Sequence, residues 1–379
     1  MSWLRAVMTD AAPLTIGDER VVTIGPIAHG GHFIAHSDGR TLFVRHAITG
    51  ETVRVRVTDV NRKMVRADAI EVLEPDPDRV DAPCSWAHAD GCGGCDFQHI
   101  AVEAQRRMKQ EVLTDALRRF GRFSDDDLAA LDLTVRELPG HPDGLHWRSR
   151  VTWAEDADGN RGLRRHHSHH IVPVDRCLIA ADGVDVPGET RPGKVVHTVR
   201  DRTWRMERDG FWQVHEALPE ALVGAVLEMG RPAPGQTWWD LYAGAGLFAA
   251  FLAEAVGAEG HVAAVESAES AVKSARRALH DLPQVALHHS DVTAWLRDID
   301  HDAPDGIVLD PPRSGVGAEV VAMITAAEVP SVVYVACDPV ALARDAADFR
   351  AAGYRLSAIR AFDAFPMTHH LETVGHFVR

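Results

Sequence analysis

"WWDLYAGAGLFAAFLA", Trp238 to Ala253, passes from an apolar strand through a glycine-rich turn into a helix. Asp240 stands at the strand end and Gly244 and Gly246 lie in the turn. Glycines there let the backbone approach a ligand at the carboxyl edge of a sheet. A tight strand-to-helix turn without a ligand would show the same pattern, so the neighbouring strands carry weight. The next strand, "HVAAVE", ends on Glu266, about 20 residues beyond the glycines, where an acid can accept hydrogen bonds from two ribose hydroxyls. A third, "LHHSD", ends on Asp291, placed for an adenine amino group.

Working outward, helical segments alternate with apolar strands from about Phe211 to the C-terminus, which predicts an α/β domain with a largely parallel, doubly wound sheet. The third glycine of a dinucleotide fingerprint is missing, with Phe248 and Ala249 in its place. The D-x-x-x-G-x-G spacing with a downstream acid resembles the class I methyltransferases, which use S-adenosylmethionine. "VLDPPRSG" puts Asp310 at the end of a fourth strand, before two prolines that stiffen the following loop. "YVACDPVALARD" puts Cys337 at the end of the next. An isolated cysteine is more often a small buried hydrophobe. At a strand end opening on the same crevice, Cys337 is better placed as a nucleophile.

N-terminal to this domain, Arg20 to Glu74 reads as short alternating strands joined by turns, a small β-barrel. "EPDPDRVDAP" reads as a linker. Cys84, Cys92 and Cys95 follow within twelve residues, and Cys177 lies far downstream. Four thiols suit tetrahedral zinc or an iron–sulfur cluster, and spacing alone favours zinc. Ile100 to Phe120 is predicted helical, with Ala104, Met108, Val112 and Leu117 on one face, and a β-rich stretch extends to about Arg205. The expected division is 15–76 for the barrel, 77–205 for a central domain and 206–379 for the cofactor domain.

The chain has 379 residues, 46% of them apolar and 25% charged, an ordinary globular balance. Met1 to Pro13 has no apolar signal core, and the longest uncharged apolar run, Leu241 to Ala253, is too short to span a bilayer. A soluble, cytoplasmic, monomeric protein without a membrane partner is expected. The net charge of −15 argues mildly against nucleic acid, but fields are screened within about 8 Å, so a local basic patch suffices. Arg148, Arg150, Arg164 and Arg165 form a candidate phosphate-binding stretch, with a solvated loop equally consistent. The histidines of "RHHSHH" lack an interleaved Cys or acid and read as a polar segment.

Three C-terminal motifs together, "LDPPRSG", "YVACDP" and "FDAFPMTHHLE", resemble the RNA uridine-C5 methyltransferase family. "FWQVHEALPEALV" resembles its F-x-Q segment, "CGGCDFQH" and "QRRMKQEVLTDALRRF" its iron–sulfur segment and following helix, and the barrel a TRAM domain of OB type. The resemblance implies a Rossmann-like class I methyltransferase domain preceded by the TRAM barrel and a β-rich iron–sulfur domain. It implies Cys337 as nucleophile, Glu372 as general base and Asp310 as positioning acid. Gln213, Tyr242, Glu266 and Asp310 are implied at the S-adenosylmethionine site, beside Gly244, Gly246 and Asp291 read above, and Cys84, Cys92, Cys95 and Cys177 at a 4Fe–4S cluster, reversing the preference for zinc. The implied partner is RNA, rRNA ahead of the tRNA T loop. A non-catalytic RNA-binding assembly factor is a rival that the retained Cys337, Glu372 and Asp310 oppose. The chain departs from the family pattern at Ala336, Asp338 and His215, where Ser, Asn and Asn are usual, and its first cysteine gap is longer by two.

Overall fold

The computed structural model describes residues 14–62, 64–166, 168–184, 193–208, 210–298 and 303–379. The stretch read for a signal peptide, Met1 to Pro13, and His167 of the histidine run lie outside them. The chain forms two compact units, Met1–Ala101 with Arg164–His170, and Val102–Leu163 with Ile171–Arg379. The segment 77–205, expected as a central domain, is thus shared between the two units.

In the first unit, β1 (Glu19–Thr23), β2 (Ile27–Ala28), β3 (His32–Ser37), β4 (Arg40–Arg45), β5 (Thr52–Val60) and β6 (Val65–Glu74) make one sheet in the order β1-β5-β6-β4-β3-β2. Alternation builds it: Val53, Val55 and Val57 of β5 are buried, whereas Arg54 and Arg56 are not. The expected linker after β6 is no free tether. The buried Glu51 carboxylate accepts from Arg79 at 2.5 and 2.7 Å and from the Asp76 N–H at 3.2 Å. Beyond it, Ala101 N–H donates to the Asp78 carbonyl. A proline- and acid-rich stretch builds no core of its own, but it can dock through one buried ion pair.

The second unit begins with α1 (Val102–Arg119), α2 (Asp125–Ala129) and β7 (Val135–Glu137). Short strands β8 (Ala154–Glu155), β9 (Arg161–Arg164) and β10 (Ile171–Val172) pair in a small sheet, and β11 (Lys194–Val199) and β12 (Arg202–Glu207) form a hairpin. Then come α3 (Leu218–Gly230), β13 (Thr237–Leu241), α4 (Leu247–Val256), β14 (His261–Glu266), α5 (Glu269–Ala278), β15 (Val285–His289) and α6 (Val292–Asp298). The chain ends with β16 (Gly306–Leu309), α7 (Gly317–Ala326), β17 (Ser331–Ala336), α8 (Pro339–Ala351), β18 (Arg355–Asp363) and β19 (Glu372–Val378). The large sheet runs β15-β14-β13-β16-β17-β19-β18-β7. Its first five strands are parallel, as expected, whereas β19 is antiparallel to both β17 and β18.

Burial explains the sheet's order. The central strands are apolar throughout, as a sheet covered on both faces requires. α4 is buried on nearly every side and packs below the glycine turn. On α1 the buried face is Ala104, Gln105, Met108, Lys109, Leu113, Ala116 and Leu117. The apolar pattern placed Val112 on that face, but the face is turned so that two polar residues, Gln105 and Lys109, are buried in it.

Candidate active site

Register alone gathers most of the site. Leu241 pairs with both Val265 and Leu309, so the next residues, Tyr242, Glu266 and Asp310, come side by side at the carboxyl edge. Ala336 pairs with Thr373 as the last pair of the β17–β19 ladder, and Cys337, which follows Ala336, and Glu372, which precedes Thr373, lie just beyond it. The Thr373 hydroxyl donates to the Ala336 carbonyl at 2.9 Å and closes that step. Residues separated by more than a hundred positions thus meet at one edge, where doubly wound folds bind ligands.

At the cofactor end, Glu266 holds the glycine turn. Its carboxylate accepts from the Gly244 N–H at 2.8 Å and the Ala268 N–H at 2.6 Å, leaving further lone pairs for hydroxyl donors. The two glycines have different reasons. Gly244 has a φ of 54° with open space where a side chain would stand, so a ligand can approach its backbone. Gly246, at 81°, would press a Cβ to 2.8 Å from Leu279, so it serves packing. Tyr242 shares the left-handed geometry, at 66°, unusual for a side-chain-bearing residue. Asp240 is fully buried; one oxygen accepts from the Ala249 N–H at 2.7 Å and the other has no partner among the described residues. Burial, with Asp310 and Glu266 nearby, pushes its carboxyl up to about 8. Asp291 lies past the end of β15, exposed, and accepts from the Ala294 N–H at the start of α6. Gln213 stands apart from these residues: it lines a cavity of about 390 Å³ with Arg150, His197 and Trp212, which none of Tyr242, Gly244, Gly246, Glu266, Asp291 and Asp310 lines.

At the reacting end, burial first and Glu372 second push the Cys337 thiol up to about 11, with Arg313 opposing them. Glu372 is 2% exposed, and burial and then Asp310 hold its carboxyl well above the usual range, again against Arg313. Burial and Glu266 push Asp310 up to about 7. Buried acids around one thiol make a poor resting environment for a thiolate, so a nucleophilic Cys337 would have to lose its proton as it attacks. They also make Glu372 a stronger base than a solvated carboxylate.

The departures from the family pattern have local explanations. Asp338 caps α8, accepting from the Val340 and Ala341 N–H groups at 2.9 and 2.8 Å, a position where Asn and Asp serve equally. His215 is buried, stacked on Trp147 at 5.8 Å, and its Nδ1 accepts from the Ala217 N–H, while burial lowers it to about 4. Ala336 offers its carbonyl, not a hydroxyl, to the ladder.

Sequence patterns missed Asp345 of α8. It accepts from the Tyr334 hydroxyl at 2.6 Å and from the Val316 and Gly317 N–H groups, and so ties the loop after Asp310 to α8, the helix that follows Cys337. A side chain on Gly315 would meet it at 2.5 Å. The glycines flanking Val316 were the signal.

The cysteine loop is organised differently. Gly94 N–H donates to Cys92 Sγ at 3.4 Å, and a side chain on Gly93 would collide with the His166 backbone at 2.4 Å. Cys84, Cys92 and Cys95 belong to the first unit and Cys177 to the second. Among the described residues, no three His, Cys, Asp or Glu side chains are gathered for a metal ion. Of the candidate phosphate contacts, Arg148 donates to the Arg150 carbonyl, Arg150 to the Gly210 carbonyl, and Arg165 pairs with Asp90 at 2.6 Å. Arg164 lies beside His169. No helix among the described residues is long and apolar enough to cross a membrane.

Strand order and glycine turn define the class I methyltransferase fold. The family model tRNA (Uracil-5-)-methyltransferase matches residues 194–379, and the TRAM domain model residues 13–70. An uncharacterized RNA methyltransferase of Streptomyces avermitilis is 40% identical, across 95% of this chain and 98% of that protein. The 23S rRNA (uracil(1939)-C(5))-methyltransferase RlmD of Alkalilimnicola ehrlichii is 29% identical, across 94% and 96%. Pyrococcus abyssi tRNA (uracil-54, C5)-methyltransferase, solved in complex with S-adenosyl-L-homocysteine, superposes with a TM-score of 0.69 at 19% identity, over 94% of this chain and 99% of that one. At that identity the likeness shows the fold alone. The chain belongs to the uracil-C5 family of RNA methyltransferases.

Proposed function

We propose that this protein methylates C5 of uracil in RNA, with rRNA favoured over the tRNA T loop as substrate. One observation carries the mechanism: Cys337 and Glu372 adjoin the last residue pair of the β17–β19 ladder, Ala336 with Thr373, and Glu372 is close enough to raise the Cys337 thiol. Uracil C5 is too weak a nucleophile to take a methyl group unaided. Addition of the Cys337 thiolate to C6 makes C5 an enolate carbon. That carbon takes the methyl group, Glu372 removes the C5 proton, and the C6–S bond breaks to release 5-methyluridine. Asp310, raised by its surroundings, is placed to donate to or accept from the base and to orient it. The base must leave any helix to reach this edge.

S-adenosylmethionine fits the other end, because Gly244 leaves space beside its backbone and Glu266 offers carboxylate lone pairs. When bound, it supplies the electrophilic methyl group. Gln213, Tyr242, Gly246, Asp291 and Asp310 complete the proposed donor site. The relatives divide between an rRNA and a tRNA enzyme, both matched over nearly their whole length, and the higher sequence identity to the rRNA enzyme, 29% against 19%, supports the rRNA choice. Cys84, Cys92, Cys95 and Cys177 are proposed as thiolate ligands of a 4Fe–4S cluster, supported by the resemblance of "CGGCDFQH" to the family's iron–sulfur segment and by two glycines that fold the Cys92–Cys95 loop tightly. Zinc is the alternative occupant. No step of the methylation needs it.

The test is product identity. Purified protein given labelled methyl donor with rRNA and, separately, tRNA should yield 5-methyluridine by nucleoside mass spectrometry, with rRNA the better substrate. A label on a ring nitrogen or exocyclic amine would overturn the reaction, and label in tRNA alone would overturn the substrate choice.

A further inference from the structure

The loop from Asp363 to Leu371 joins β18 to β19 and delivers Glu372 as the first residue of β19. Ala364, Pro366, Met367, Thr368 and Leu371 are buried in it. A buried loop has backbone groups that water cannot satisfy, so each needs a protein partner. Some partners are internal: the Thr368 hydroxyl donates to the Phe365 carbonyl at 2.8 Å. The others come from α1, some 250 residues earlier in the chain. Gln105 Oε1 accepts from the Met367 N–H at 2.8 Å, and Gln105 Nε2 reaches Met367 Sδ at 3.3 Å. Lys109 Nζ donates to the Phe365 carbonyl at 3.1 Å and pairs with Asp363 Oδ1 at 2.5 Å.

Three features mark this contact as more than packing. Lys109 and Asp363 are each 1% exposed, and a buried ion pair adds little stability over apolar residues of the same size. Asp363 Oδ2 is buried with no partner among the described residues, a further cost that a purely structural pair would avoid. Met367, gripped by Gln105, has a φ of 65°, a conformation that persists only where surroundings impose it. By contrast Cys337 has separate supports, since Asp338 caps its helix and Asp345 ties that helix to the neighbouring loop.

We infer that Gln105 and Lys109 are positioning residues for the general base: α1 holds the Asp363–Leu371 loop so that Glu372 stands where the C5 proton must be taken. The inference rests on the reaction proposed above. It requires the two halves of the reaction to respond differently. Loosening the loop leaves Cys337 in place, so thiolate attack and methyl transfer proceed. Proton removal, and with it breakage of the C6–S bond, slows. Small misplacement of a reacting group costs about tenfold to a hundredfold.

The experiment uses full-length protein, RNA substrate and S-adenosylmethionine. Formation and decay of the covalent protein–RNA complex are followed by denaturing electrophoresis. Lys109→Met and Gln105→Leu should form the complex within about threefold of the wild-type rate and resolve it about tenfold or more slowly. Lys109→Met alone strands a buried carboxylate, so the double variant Lys109→Met/Asp363→Leu separates stability from positioning. It should recover the melting temperature lost by Lys109→Met yet keep the slow resolution, because the bond to the Phe365 carbonyl is still missing. Equal slowing of attack and resolution, or recovery of both rates in the double variant, would overturn the inference. Glu372→Gln and Cys337→Ala run beside them. If Glu372→Gln fails to accumulate complex, the proposed reaction falls. If it accumulates complex and the α1 variants do not, only the positioning role falls.

Discussion

The carboxyl edge of the large sheet and the cysteine loop are built on opposite plans. At the edge, Glu266, Asp310, Cys337 and Glu372 are far apart in sequence and meet because strand register leaves them no other place. In the loop, Cys84, Cys92 and Cys95 are near neighbours in sequence, and glycines rather than ladders shape the turn between the last two. A ladder positions side chains whether or not a ligand is bound. A loop of thiols needs its ligand to complete it. The edge should therefore tolerate local changes that spare the register, and the loop should lose its order as a whole.

The largest difference is expected on the loop side. Alanine at Cys84, Cys92, Cys95 or Cys177 should abolish nearly all bound iron and sulfide in anaerobically purified protein and cost solubility, because metal affinity and folding are coupled. Stoichiometric zinc in colourless wild-type protein would replace the cluster and leave the loop's plan intact. Iron retained in all four variants would remove these cysteines from the metal site.

Next in size is a contrast inside the edge. Gly246→Ala presses on Leu279 in a left-handed position and should destabilise by about 2 kcal/mol in thermal unfolding. Gly244→Ala meets no atom within 4 Å and should cost about 1 kcal/mol from backbone strain, while weakening S-adenosylhomocysteine binding in calorimetry far more than Gly246→Ala does. Equal effects on binding would remove the distinction between the packing glycine and the ligand glycine.

A smaller effect comes from charge. Asp240 is raised from 3.8 to about 8 in the fold, so the folded state binds its proton more tightly than the unfolded chain. That contribution is complete below about pH 4 and fades as pH rises towards 8. Asp240→Asn with its carbonyl oxygen towards Ala249 keeps that bond and removes the titration. Its stability relative to wild type should improve steadily as pH rises from 4 to 8. A stability difference independent of pH would show that Asp240 is charged throughout.

Much of the edge was legible in the sequence because its signals are local even though its contacts are not. Each strand ends on or just before its candidate site residue: Glu266 closes "HVAAVE", and Asp310 and Cys337 each follow an apolar run. The order of strands then follows from α/β alternation. What escaped notice was polar and long-range. Gln105 and Lys109 look like the solvent side of an amphipathic helix until their partners, Met367, Phe365 and Asp363, are in place. The same holds for Glu51, whose partner Arg79 sits in a stretch that composition marks as a tether, and for Asp345, which reads as an exposed helix acid. A hydrophobic pattern reports which face is buried but carries no mark for a buried polar pair whose partner lies 28 or 254 residues away. The division into two units was hidden for a related reason, since Arg164–His170 returns to the first unit across sequence distance.

The smallest predicted effect concerns a departure from the family pattern. Asp338→Asn keeps the helix cap and should change stability by less than about 0.5 kcal/mol, whereas Asp338→Ala should cost about 1 kcal/mol. Asp338 is one of the acids that raise the Cys337 thiol, so Asp338→Asn should lower that thiol's apparent pKa, read from the pH dependence of iodoacetamide labelling. An upward shift would mean that the cap's charge does not reach the nucleophile.

The pairing of Cys337 with Glu372 is the central claim, and one gel tests it most directly. Glu372→Gln, incubated with substrate RNA and S-adenosylmethionine, should accumulate a methylated protein–RNA complex that survives denaturing electrophoresis, because attack and methyl transfer proceed while proton removal fails. Glu372→Gln combined with Cys337→Ala should give no such band, and Cys337→Ala alone no product. Substantial 5-methyluridine formed by Cys337→Ala, or a covalent band that persists without Cys337, would contradict the account.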